Sequence, residues 1–289
     1  MIGSLAMKNN RVLLGYLTFI NESNMTRRYK NFQQSLASLN LIKNQDCDTV
    51  SFDNNSCQSI KDELVKFKFN YYCHFNSNYY DLSVLYGTYY LARKLKYDYM
   101  LYAYDDIMLF NNDFIKDSVL FLDKNIDVDC VRVCEYRRND KNFNTRHVIK
   151  QKNPDAINHW ASHKNNSPLS WEMSQQFGKN TFHINDWHYT SRSTIFRVNS
   201  FEKMITGYDR LPVLNFFEGH AYSYNKAHGI KTGILEGGAF RTLAKHTHEN
   251  SERLNLGNKF LKNVSICVKD IENNMNAVFE NSIHRVCEV

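Results

Sequence analysis

Two adjacent carboxylates, Asp105 and Asp106, close the apolar run YDYMLYAYDDI over 97–107. The run reads as a buried β-strand, and in an open α/β sheet ligands gather at the carboxyl ends of strands. Carboxylates are costly to bury there unless a cation meets them. The pattern therefore points to a divalent metal facing a phosphate-bearing ligand. Strand parity sends Met100, Tyr102, Tyr104 and Asp106 to one side and Leu101, Ala103 and Asp105 to the other. Both aspartates can serve one site only if the chain leaves strand geometry after Tyr104. The competing reading is that they cap the next turn or make surface salt bridges.

Other residues carry chemistry with less context. His246 and His248, two apart in AKHTHE, share one face of an extended segment, against the alternative of an exposed polar loop. Asp81 opens a helical pattern, where an N-cap role competes with a ligand contact. Arg27 and Arg28 start an earlier helix and either reach phosphates or stay solvated. Trp187 and His188, with Trp160 and Trp171, could form an aromatic stacking platform, with core packing as the other use of tryptophan.

The elements that position these groups alternate. Residues 11–18 (RVLLGYLT) form a compact apolar run, a first buried strand, followed by a polar turn at 21–24 and a helix over 25–39 with Tyr29, Phe32, Leu36 and Leu39 on its apolar face. A short strand over 49–52, a helix over 59–67 and a strand over 69–75 follow. A helix over 81–96 carries Leu82, Leu85, Tyr89 and Ala92 on one stripe and leads into the aspartate strand. A helix over 113–122 and a strand over 129–136 continue the pattern. Such alternation predicts βαβ units and a mainly parallel sheet flanked by helices, an α/β Rossmann-like fold class.

The stretch 137–180 is rich in Asn, Lys, His and Trp and reads as loops, a short helix and a flap. Order resumes with a strand over 190–198, a short helix over 201–205, a helix over 215–228 closed by Gly229, and a strand over 230–235. The final residues read as a helical extension with Val268, Ile271, Met275 and Val278 on one face.

Composition narrows the class. A chain of 289 residues is long enough to bury a substantial core. With 3 Pro and 11 Gly it is neither fibrous nor linker-rich. The net charge of +6 suits an anionic small ligand but is too small and dispersed to argue for nucleic acid. Seven cysteines without a CxxC pair fit a reducing compartment better than a disulfide framework or a zinc site. Cys130 and Cys134 would share one strand face as small core residues. No apolar run reaches the roughly 18 residues of a membrane span, so no integral membrane segment is expected and the cytoplasm is the expected location. Residues 1–8 read as a disordered N-terminal segment or cloning remnant, 9–250 as the catalytic domain, and 251–289 as a helical extension packed on that same domain.

The segment over 190–229 (TSRSTIFRVNSFEKMITGYDRL…NFFEGHAYSYNKAHG) has an ordered grammar. It runs strand, basic residue, short helix, the Gly207-Tyr208-Asp209 turn, loop, acidic Glu218, amphipathic helix and Gly229. Together with Asp105-Asp106 it resembles the GT-A glycosyltransferases, family-2-like, over roughly 11–248. The Asp-x-Asp motif of that family stands here as Tyr104-Asp105-Asp106, and its acidic pair as Phe217-Glu218.

The resemblance implies a GT-A type sheet and a metal-dependent, inverting transfer of a sugar from a nucleotide-sugar donor, a UDP-sugar first, to a glycan hydroxyl. It implies Mn2+ (or Mg2+) on Asp106 with His248 or His246, and donor contacts from Thr18, Asn21, Asp81 and Asp105. Glu218 takes the place of the general base, in a first helical turn where the dipole favours its ionised form. The alternative is a simple helix-start acid. Trp187 and His188 would face the acceptor.

Two other classes stay open at this point. A divalent-metal phosphohydrolase or nuclease would use the same acids and histidines, but needs several carboxylates bridging its metals. A nucleic-acid binder would use the basic, aromatic 137–187 region, although Asp105-Asp106 repels phosphate.

Overall fold

The computed structural model describes residues 11–43, 45–79, 81–134, 173–185, 193–206, 227–243 and 269–278. The first half is three crossovers: β1 (Val12–Thr18), α1 (Met25–Ser38), β2 (Cys47–Asn54), α2 (Gln58–Phe67), β3 (Tyr71–Phe75), α3 (Asp81–Lys94) and β4 (Tyr99–Tyr104). Then come β5 (Ile107–Leu109), α4 (Phe114–Lys124), β6 (Val128–Arg132), β7 (Met173–Phe177), β8 (Asn180–Asn185), β9 (Thr194–Arg197) and α5 (Val198–Thr206). The last described elements are β10 (Lys231–Leu235), β11 (Phe240–Thr242) and α6, a helix over 269–278.

Nine strands form one sheet in the order β3-β2-β1-β4-β9-β6-β10-β8-β7. β1 pairs in parallel with both β2 and β4, and β2 with β3. The chain winds outward from β1 through β2 to β3, then returns across them to place β4 on the other flank of β1. The order therefore reverses between β1 and β4, and the crevice at such a reversal is where open α/β sheets take ligands. β9 runs antiparallel to β4 and β6, while β6 and β10 are parallel. The fold class is the expected one: α/β, parallel at its centre, helix-flanked and Rossmann-like.

Both sheet faces are covered, which is why β1 is buried at every position. Val12, Leu14 and Tyr16 pack with Phe32 and Leu36 of α1, Leu64 of α2 and Phe121 of α4. Leu13 and Leu17 face the other layer with Leu85 and Tyr89 of α3, Phe201 of α5, and Ile271 and Met275 of α6. Gly15 permits the close approach of α3, because a Cβ there would lie 1.9 Å from Thr88 Oγ1. Ile271, Met275 and Val278 of the stripe expected on the C-terminal helix thus have partners, while Val268 lies outside the described residues. The hydroxyls of Tyr79, Tyr86 and Tyr90 add donors to Asp270 (2.7 Å), Glu272 (2.6 Å) and Asn276 (3.2 Å).

Several expectations are corrected. Residues 173–177 belong to a strand rather than to an irregular stretch, and with β8 they form an antiparallel hairpin at the sheet edge. It is stabilised by the stacking of Phe182 on Phe121 and the edge contact of Phe177. The strand expected over 190–198 is described only from Thr194, and Val198 already begins α5. β5 and β11 form a separate two-stranded ribbon with no counterpart in the sequence reading. Cys130 is buried in the core, but Cys134 lies past the end of β6 and is half-buried. The helix expected over 215–228 lies outside the described residues except for its last two positions.

Candidate functional site

β4 ends at Tyr104, and Asp105-Asp106 turn into β5, so the chain leaves strand geometry where parity requires it. The turn is held from every side. Asp105 N–H donates to Leu17 O (3.0 Å), and Leu243 N–H donates to Asp106 O (2.7 Å). Ser35 of α1 donates to Tyr104 O (3.0 Å) and accepts from the buried Tyr16 hydroxyl (3.0 Å). A fixed backbone sets the direction in which both carboxylates leave the chain, a first condition for a preorganised site.

The two aspartates have different surroundings. The Asp105 side chain is 2% exposed, its Oδ1 accepts from Arg28 of α1, and its Oδ2 accepts from Phe19 N–H at 3.1 Å. Burial pushes its carboxyl up to about 6, with Arg28 pulling down and neighbouring Asp106 pushing up. Burial and the charge of Asp105 also push the Tyr16 phenol up. Asp106 is half-buried. Among the described residues no three metal-ligating side chains cluster. One accessible carboxylate nevertheless fits a cation shared with a diphosphate, because Mg2+ takes one or two carboxylates and completes its shell with water and phosphate oxygens.

One strand away, Thr18 closes β1. It is fully buried, and its hydroxyl has no hydrogen-bond partner among the described residues. Thr18 lies opposite Asp53 of β2, a residue the sequence reading did not single out. Asp53 is fully buried, accepts from Ser56 N–H (3.0 Å), and faces His74 Nδ1 (3.4 Å) and Lys61 Nζ (4.0 Å). Its signal was available: FDN at the end of an apolar strand is the same pattern as YDD. Asp53, Thr18 and Asp105 thus end three neighbouring strands, a row roughly 10 Å wide at one strand spacing per step. Such a row can meet the polar edge of a nucleoside, and the turn beside it can meet a diphosphate.

Two other donor-contact candidates are occupied locally. The Asn21 side-chain oxygen accepts from Ser23 Oγ (2.6 Å) and Asn24 N–H (3.2 Å), closing the turn before α1. Asp81 sits in the first turn of α3, on the sheet face opposite α1. The ribbon brings Thr242 opposite Ile107 and Leu243 onto Asp106. Further along, His246 and His248 lie outside the described residues, as do Glu218, Trp187, His188, Trp160, Trp171 and the 207–209 turn. Arg132, buried at the end of β6 on this same sheet edge, donates from Nε to Cys134 Sγ (3.1 Å). A cleft of about 520 Å³ lined by Arg11, Gln45, Asp46, Lys116 and Lys179 opens at the other end of β1 and shares no residue with this site.

A parallel half-sheet reversing at β1/β4, an aspartate turn at the β4 exit and a β5–β11 ribbon beside it thus frame the site at one end of an α/β, Rossmann-like sheet. No protein-family model and no curated protein matches the chain. Solved structures that it resembles include S. aureus TarS 1-349, at 13% identity and TM-score 0.43 over 80% of this chain and 60% of that one. TarS 1-349 in complex with UDP gives 11% and 0.46 over 87% and 64%. Mannosyltransferase PcManGT from Pyrobaculum calidifontis, in complex with GDP-Man and Mn2+, gives 8% and 0.48 over 96% and 76%. The chain spans less than two thirds of the TarS chains it matches.

Proposed function

We propose that the protein is a glycosyltransferase that moves a sugar from a nucleotide-sugar donor, a UDP-sugar first, to a glycan hydroxyl, with inversion and with a divalent cation. The observation that carries this reading is the locked Asp105-Asp106 turn at the sheet reversal, flanked by the buried Thr18 hydroxyl. Thr18 offers its hydroxyl, unpaired among the described residues, to the nucleoside edge when the bound nucleoside displaces what covers it, with Asp53 beside it and Asn21 and Asp81 as further donor contacts. Asp106 anchors the cation, with His246 and His248 as further ligands that favour Mn2+ over Mg2+. The cation, when bound, neutralises the departing diphosphate.

Glu218 accepts the proton of the attacking hydroxyl, and one base opposite the leaving group gives a single displacement and hence inversion. Trp187 and His188 stack on the acceptor. A catalytic unit over 9–250 with the 251–289 extension on it, working among reduced thiols in the cytoplasm, completes the proposal. No helix among the described residues is long and apolar enough to cross a membrane. The engagement of Asp105 by Arg28 leaves one accessible carboxylate, which suits one shared cation better than the bridged pair a phosphohydrolase needs.

The test is a thermal-shift screen of nucleoside diphosphates and nucleotide sugars with and without Mn2+. One nucleotide family should raise the melting temperature, chiefly with metal. No shift at millimolar nucleotide would refute the proposal. Glu218→Gln should keep nucleotide affinity and abolish transfer; retained turnover would place the base elsewhere.

A further inference from the structure

Arg28 is half-buried, with its side chain 30% exposed, and within the described structure its guanidinium makes one hydrogen bond, to Asp105. A guanidinium carries five N–H donors, so most of its donor capacity stays open beside the aspartate turn. Its charge is also felt by Asp106, and the carboxylates of both aspartates hold it firmly protonated. Asp105 is the reverse case. Both of its oxygens are engaged and it is almost fully covered, so a hydrated ion could reach them only by displacing Arg28 or the Phe19 amide.

We propose that Arg28 is a built-in counter-cation of the diphosphate subsite. Asp105 is its anchor and stands outside the metal's coordination shell, leaving Asp106 as the carboxylate that holds metal at this turn. The proposal rests on the functional reading above and divides its charges between two carriers. Asp105 and Arg28 cancel, so the turn keeps one net negative charge for the metal. A planar donor fork suited to two phosphate oxygens is then present whether or not metal is bound. Nucleoside diphosphate should therefore bind measurably without metal, and metal should tighten a site already partly formed.

The test uses the full chain with UDP and GDP as probes. Bound Mn2+ is followed by electron paramagnetic resonance, and nucleotide binding in EDTA by calorimetry. Asp105→Asn/Arg28→Gln, which removes both charges of the pair and preserves an acceptor for Phe19, should keep Mn2+ affinity at saturating nucleotide within about twofold, whereas Asp106→Asn should weaken it at least roughly tenfold. Arg28→Gln should weaken metal-free nucleotide binding roughly tenfold, as expected for one charge-assisted contact, and Arg28→Lys should restore part of it.

An Mn2+ loss in Asp105→Asn/Arg28→Gln equal to that in Asp106→Asn overturns the proposal. So does unchanged metal-free affinity in Arg28→Gln, or wild-type nucleotide binding seen only with Mn2+. Should the wild type bind neither nucleotide under any condition, the functional reading fails instead. Urea midpoints of each variant separate loss of binding from loss of fold.

Discussion

The Arg28–Asp105 pair can be measured as an interaction energy through Asp105→Ala, Arg28→Met and the double variant. Removing one partner of a buried ion pair costs about 3–5 kcal/mol. Asp105→Ala strips the Phe19 amide of its acceptor, worth about 1–3 kcal/mol, but leaves Arg28 partly in reach of water. Its cost should therefore fall near the lower limit, about 3 kcal/mol. Arg28→Met leaves a covered carboxylate without its cation and should cost about the same. Once both charges are gone the second loss adds little, so the double variant should also sit about 3 kcal/mol below wild type, a coupling of about 3 kcal/mol.

Urea unfolding at neutral pH gives all four values. A coupling under about 0.5 kcal/mol would mean that the pair is not formed in solution. The pH dependence has a definite sign. Burial raises the Asp105 carboxyl to about 6, so the native state holds its proton more tightly than the unfolded chain does. The stabilising contribution of this group is full below the ordinary carboxylate range and is lost as pH rises through 6. Between pH 4.5 and 7.5, Asp105→Asn should therefore gain on wild type by about 1–3 kcal/mol. A gap independent of pH would contradict the assigned burial.

Thr18→Val should raise the stability of the free protein by about 1 kcal/mol, since it removes a buried hydroxyl without a partner. The same change should weaken nucleotide binding roughly tenfold; a calorimetric affinity equal to wild type would discard Thr18 as a contact. Arg197→Met should lower stability by about 2 kcal/mol. The arginine donates to the carbonyls of Leu122, Asn125 (3.2 Å) and Val128 (3.1 Å), tying off the C-terminal end of α4. An unchanged urea midpoint would show that solvent satisfies those carbonyls equally well. Ile271→Ala should cost about 2–5 kcal/mol through the cavity it leaves under α6. A cost below about 1 kcal/mol would mean that α6 is not docked on α3.

The parallel half of the sheet was legible because β1 and β4 are apolar runs and the helices between the strands carry apolar stripes. β1 and β4 could hardly be anything but buried strands. The missed elements share a physical cause. MSQQF and NTFHIN are polar and short, and they become strands because Phe177 and Phe182 find Phe121 on a distant helix. IML and FRT are too short to show a period, and they pair across more than a hundred residues of chain. The direction of β9 was invisible for a similar reason: a four-residue apolar strand carries no mark of whether its neighbours run with it or against it.

Sequence alone determined that two carboxylates end a buried strand, since the apolar run and the charges that stop it are local facts. It also determined which faces of the helices must be covered, because apolar periodicity is written along each helix. Only the tertiary structure decided that the aspartates are unequal. Arg28 stands 77 residues from Asp105 in the chain and reaches it because α1 folds back across the end of β4. Which carboxylate is sheathed and which stays half-exposed is a matter of long-range packing. A side chain's charge is encoded where it stands, but its solvent exposure and its partner are set by what the fold brings beside it.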